Sequence, residues 1–146
     1  MAVTERPAVA TNNMECNLLD DICPLSPFSL GYLYILDIAV SGLSLDDPPV
    51  YSNISSNLAI NGSQTVQSLS KSTNVGNGAT TTTNTANWTN TTGSAVDVYA
   101  WALVNPINNH IIAIDDFTSA PINVPDDDIF SMALIVTLRD ANGSLT

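Results

Sequence analysis

The chain has 146 residues, of which 45% are hydrophobic and only 12% charged, and a formal net charge of −11. Arg6, Lys71 and Arg139 are its only Lys or Arg side chains. Three scattered cations exclude a basic face for nucleic-acid phosphates or for an anionic membrane surface. The length suits one domain with a core of its own, and the acidity serves solubility.

With so few charges, the surface must be wetted by neutral polar groups, and Asn, Thr and Ser supply nearly a third of the chain. Helix-surface residues are scarce: Glu5 and Glu15, Lys71, and Gln64 and Gln67 are the only Glu, Lys and Gln residues. Thr, Val and Ile suit a pleated surface instead, so composition points to an all-β fold.

Residues 1–27 form an N-terminal arm ahead of a domain at 28–146. Pro7, Pro24, Pro27 and the Asn12-Asn13 pair interrupt any sustained period. Within the arm, Met14, Leu18, Leu19 and Ile22 have helical spacing over about two turns, which is marginal in water without a surface to pack on. That surface is either the chain's own domain or a neighbouring subunit, and these four are the expected interaction residues. Cys16 and Cys23 have no Cys or His neighbours to complete a tetrahedral zinc set. Residues 1–10 lack the apolar core of a secretion signal, and 28–43 are too short and too interrupted by Asp37 to span a bilayer. The expectation is a soluble chain made in the cytosol, with free thiols.

Residues 31–40, GYLYILDIAV, carry apolar side chains on both faces at period two and predict a buried strand, with a short buried helix as the alternative. Asp46-Asp47-Pro48-Pro49 marks a turn or a strand edge, because Pro cannot donate to a ladder. Strands are predicted over 50–60 and 64–69, joined by Asn61-Gly62 as a two-residue hairpin turn. Residues 74–78, NVGNG, make a second turn. The Thr/Asn tract at 80–92 predicts a half-exposed strand with Thr82, Asn84, Ala86 and Trp88 on one face and Trp88 packed inward.

Residues 96–138 are the densest candidate core. Residues 96–104, VDVYAWALV, are apolar on both faces and predict a central strand. Residues 105–109 form a five-residue hairpin connection, and 111–117 return as a strand. Residues 118–128 hold Pro121, Pro125 and three Asp, and predict a loop crossing between sheets. In the last strand Phe130, Met132, Leu134, Val136 and Leu138 share one face. Six to eight short strands with turn signals between them predict a β-sandwich or jelly roll.

Catalytic constellations are sparse. The single histidine, His110, sits at a hairpin end and suits an ordinary surface position. No nucleophile elbow or phosphate-cradling glycine loop occurs. Asp115-Asp116 and Asp126-Asp127-Asp128 are the candidate carboxylates for acid–base hydrolysis, and adjacent Asp in loops are commoner as solvated turns. The same acids match no EF-hand spacing for calcium. Sequons at Asn53, Asn61, Asn87, Asn90 and Asn142 are expected by chance in so Asn- and Thr-rich a chain. No enzyme activity, cofactor or metal site is expected.

From Trp88 to Leu138 the order is WTNTTGSAVDVYAWALV, a turn, then IIAIDDF, a Pro-bounded connector, and FSMALIVTL. This order resembles small accessory virion proteins of tailed bacteriophages. The resemblance implies a β-sandwich or jelly-roll protein on the capsid surface, made in the host cytoplasm. It further implies a decoration or cement protein that bridges major capsid subunits and self-associates as a homotrimer. A tail, fibre or connector subunit is the neighbouring expectation. From the residues themselves, a carbohydrate-binding module is a further one, with Trp88, Tyr99 or Trp101 as stacking platforms.

Overall fold

The computed structural model describes residues 29–75 and 78–138. Its regular structure is strands in antiparallel pairing, with two single-turn 3-10 helices, so the all-β expectation holds. The strands are β1 (Ser29–Leu36), β2 (Gln64–Val75), β3 (Gly78–Thr83), β4 (Ala86–Thr89) and β5 (Val96–Val98), followed by β6 (Ala100–Val104), β7 (Ile111–Asp116), β8 (Ile122–Val124), β9 (Ile129–Met132) and β10 (Ile135–Leu138). They fall into two compact units. One contains Leu30–Val66 and Thr85–Met132; the other contains Gln67–Asn84 and the described residues from Ala133 on.

The larger unit is built on β1, β6 and β7. β1 pairs with β6 from Tyr32 opposite Val104 to Leu36 opposite Ala100, and β6 pairs with β7 from Ala100 opposite Asp116 to Val104 opposite Ile111. β6, at the centre, is buried or half-buried on both faces, as a doubly apolar strand requires. Leu36, Ala100, Ala102, Val104 and Ile111 cluster with Ile54, and Tyr34, Val40, Leu43, Tyr51, Leu58 and Ile114 pack around them. Leu33, Ile35 and Leu103 are buried on the opposite face. Gly31 lets β1 approach β6, because a Cβ there would stand 2.5 Å from the Val104 carbonyl oxygen.

The chain leaves β1 earlier than the predicted strand over 31–40 does. The Val40 amide donates to Asp116 Oδ1 at 2.7 Å, and Val40–Gly42 form a 3-10 turn. Residues 50–60 are not a strand either. Asn53 Oδ1 accepts the Asp46 and Val50 amides, which curls Tyr51–Asn53 into a second 3-10 turn. The segment then lies over the small side chains of β6, with Ile54 fully buried. Asn61-Gly62 is therefore a bend leading into β2 rather than a hairpin turn. Gly62 supplies a φ of +99° there.

The β6–β7 hairpin is as expected, and its asparagines do the turning. Asn105 Oδ1 accepts the Ile107 amide, Asn108 Oδ1 accepts the His110 amide, and Asn109 takes a φ of 60°. Such side-chain mimicry of backbone acceptors, and tolerance of the left-handed region, are what asparagine offers a turn.

Two shorter ladders complete the larger unit. β4 pairs with β9, setting Trp88 opposite Phe130 on the buried side and Asn87 opposite Ser131 outside. β5 pairs with β8, with Asp97 Oδ1 accepting from Asn123 Nδ2. The predicted central strand 96–104 is thus two strands with different partners. It divides at Tyr99, whose amide donates to the Leu36 carbonyl and whose carbonyl accepts from Phe117. The loop over 118–128 contains β8.

In the smaller unit β3 pairs with both β2 and β10. The strand predicted over 80–92 is broken here as well: β3 ends at Thr83 and β4 begins at Ala86. Thr83, not Thr82, turns inward; its Oγ1 donates to the Asn84 carbonyl and accepts the Leu134 amide, while its own amide donates to the Leu134 carbonyl. That exchange also interrupts the predicted final strand between β9 and β10. The inward set Phe130, Met132 and Leu134 keeps its alternation through the break.

Candidate functional site

Loops meet at one end of the larger unit around Asn90. This residue follows β4 directly, and its side chain is fully buried. Its Nδ2 donates to the carbonyls of Ser94 at 2.8 Å, Val124 at 3.0 Å and Pro125 at 3.1 Å. Its Oδ1 accepts the Thr92 amide at 3.1 Å and the Thr92 hydroxyl at 2.8 Å. The Asn90 amide donates to the Asp128 carbonyl, and the Asn90 carbonyl accepts from Asp127. Beside it, Asp126 Oδ1 accepts the Gly93 amide at 2.9 Å. A buried amide satisfied this completely fixes two loops against each other.

The acidic groupings are spent in the same way. Asp116 Oδ1 holds Val40, Asp115 Oδ1 accepts the Asp116 amide, and Asp128 Oδ1 accepts the Ile129 amide. Asp37 and Asp46 accept from Asn57 and Asn53. These carboxylates answer backbone or side-chain amide donors, and among the described residues no three His, Cys, Asp or Glu side chains converge on a cation-sized position. His110 is exposed on the hairpin, bridged to Val50.

Of the expected sugar platforms, Trp88 is 2% exposed and donates its indole N–H to the Gly62 carbonyl at 3.3 Å. Its ring packs against Phe130, which in turn meets Phe117 edge-on. Trp88 is core. Tyr99 and Trp101 are half-buried.

A different aromatic group lies on β1. Tyr34 stacks at a tilt on Tyr51, with ring centroids 4.9 Å apart, and Tyr32 on the same side of the strand is exposed. Burial raises the Tyr34 phenol above 10.0, a hydrogen bond from Ser63 opposes the rise, and the neighbouring Tyr51 and Tyr32 phenols add to it. Sequence reasoning missed this group because Tyr51 was assigned to a strand. The stacking follows only from the 3-10 turn that Asn53 enforces.

The larger unit also exposes Ile107 at the β6–β7 hairpin tip, Ile112 in β7 and Ile129 in β9. Ile107, at 91% exposure, is held outward by the turn geometry that Asn105 sets. The expected interaction residues Met14, Leu18, Leu19 and Ile22 lie outside the described residues, as do Cys16, Cys23 and Asn142. No helix among the described residues is long and apolar enough to cross a membrane.

No family model matches this chain, and no curated protein or solved structure matches it.

Proposed function

We propose that this chain is a non-enzymatic structural subunit of a tailed-phage virion, a capsid decoration protein that bridges and stabilises major capsid subunits. The observation that carries the reading is the use of its polar side chains. The carboxylates and amides that catalysis would need are fastening loops: Asn90 to Val124 and Pro125, Asp116 to Val40, Asp126 to Gly93. An all-β domain tied in this way suits a rigid clamp, with exposed Ile107 and Ile129 as apolar contacts and a jelly-roll or sandwich-like body. In this reading the arm lies along the shell through Met14, Leu18, Leu19 and Ile22, and the domain self-associates as a trimer.

The test is to add the purified full chain to particles lacking it and to locate it by electron microscopy. Density over the capsid shell at a fixed copy number is expected, together with lost binding in an L18D/L19D variant that keeps its near-ultraviolet spectrum. Density confined to the tail or connector would replace the decoration role with the neighbouring one. Absence from every part of the particle would overturn the reading.

A further inference from the structure

Asn61 and Gly62 make the bend between buried Ile60 and β2, and both are exposed. Asn61 is the one described asparagine followed by a described glycine. Its side-chain amide makes no hydrogen bond among the described residues, and neither does the Gly62 amide. A Cβ placed on Gly62 would meet nothing within 4 Å, and the residue has a φ of +99°. Asn53, Asn87 and Asn90 differ in having bonded side chains and no glycine after them. Asn53 accepts two amides and donates to Asp46, Asn87 accepts from Ser131, and the Asn90 side chain is fully bonded and buried. Asn105 is followed by Pro106, whose nitrogen carries no proton to lose.

We propose that Asn61-Gly62 is a self-modifying site, at which the folded chain deamidates through a cyclic imide and so loosens the anchor of Trp88. The Gly62 nitrogen bonds to Asn61 Cγ, the Cγ–Nδ2 bond breaks, and ammonia leaves with the Gly62 proton. Water then opens the imide. Attack at Cγ gives aspartate, and attack at the main-chain carbonyl gives isoaspartate, in which the backbone runs through Cβ and Cγ. Nothing is oxidised or reduced. Glycine is the residue that makes this rapid, since a side chain on the attacking residue would crowd ring closure and restrict the backbone it needs.

The Gly62 carbonyl accepts the Trp88 indole N–H, and Trp88 lies in the core. An isoaspartate at 61 lengthens the chain by one carbon ahead of the Gly62 nitrogen, which shifts the Gly62 carbonyl relative to an indole that packs against Phe130. A buried donor then loses its partner.

The full chain is incubated folded at mildly alkaline pH, and each asparagine is followed by peptide mass spectrometry alongside tryptophan emission. Conversion at Asn61 several-fold faster than at Asn53, Asn87 or Asn90 is expected. Both aspartate and isoaspartate should form, and tryptophan emission should move to the red as the isoaspartate fraction grows. N61Q should abolish both changes, because its longer side chain closes a larger and slower ring, and it leaves the Gly62 backbone in place. Conversion at Asn61 no faster than at Asn87 in the folded chain, or only after denaturant is added, would overturn the site. An emission spectrum unchanged at full conversion would overturn the link to Trp88.

Discussion

The side-chain amide of Asn90 donates to the carbonyl of Val124 at 3.0 Å, wholly inside the protein, although the two residues are 34 positions apart. Val124 is the last residue of β8, and Asn90 follows the last residue of β4. One asparagine thereby ties the ends of two strands that belong to different ladders, and it reaches Pro125 and Ser94 with the same nitrogen.

Asn90→Ala removes that nitrogen and leaves buried carbonyls without a donor, which should cost about 2–3 kcal/mol. Asn90→Asp is expected to be worse at neutral pH, because a carboxylate oxygen would face the three carbonyl oxygens. Its excess penalty over Asn90→Ala should shrink in acid, where protonation restores a donor. Urea denaturation of both variants across pH checks the order and the sign. The burial also means that the sequon at Asn90 cannot accept a glycan once the chain has folded.

Trp88 is both a large core side chain and a hydrogen-bond donor. Trp88→Ala should cost about 3–5 kcal/mol through the cavity it leaves. Trp88→Phe keeps much of the ring contact with Phe130 and loses the bond to Gly62, so about 1–1.5 kcal/mol is expected. Thermal unfolding monitored by circular dichroism separates the two. Trp88→Phe should also remove the bluer component of the emission, leaving half-buried Trp101.

Gly31→Ala places a methyl 2.5 Å from the Val104 carbonyl oxygen, at a φ of +152° that side chains seldom adopt. The clash is with backbone inside the β1–β6 ladder and cannot be relieved by a rotamer change. A loss of about 1–3 kcal/mol is expected, read as a lower urea midpoint with an unchanged slope. Gly93→Ala has open space around it and a strained φ of +84° only, so it should cost less.

Burial holds the Tyr34 proton more tightly in the folded chain than in the unfolded one. Its contribution is complete below the ordinary phenol value of 10.0 and is lost as pH rises above it, because the unfolded chain ionises first. Stability measured through that window should fall less steeply in Tyr34→Phe than in the parent chain. A spectrophotometric titration should show the Tyr34 signal missing from the latest-ionising part of the curve in that variant.

Much of the strand content was legible because period-two apolar patterns mark faces that must be buried. The segment 111–116, the hairpin before it and the inward set Phe130, Met132 and Leu134 all follow from that rule. The pattern failed wherever one continuous run served two partners. Residues 96–104 alternate without a flaw, yet Tyr99 ends one ladder and begins another. Alternation records which side is apolar but carries no information about which strand lies alongside.

The loop fastenings were illegible for a related reason. Asn90 sits in a Thr/Asn tract where nothing local distinguishes it from Asn84 or Asn87. The acids over 126–128 looked like a solvated turn, and only the approach of Gly93 gives Asp126 its partner.

By itself, the sequence determined an all-β architecture, an acidic chain with few cations, and the burial of the apolar run at 96–104. These are properties of composition and of period, and they hold whatever the strands pair with. Tertiary structure alone decided that the chain divides into two compact units, that 50–60 curl over β6 instead of extending, and that Asn90 and the aspartates become ties. Those outcomes depend on where a distant carbonyl or amide ends up once the apolar faces have closed. A single buried hydrogen bond of that kind leaves no trace in the residues on either side of it.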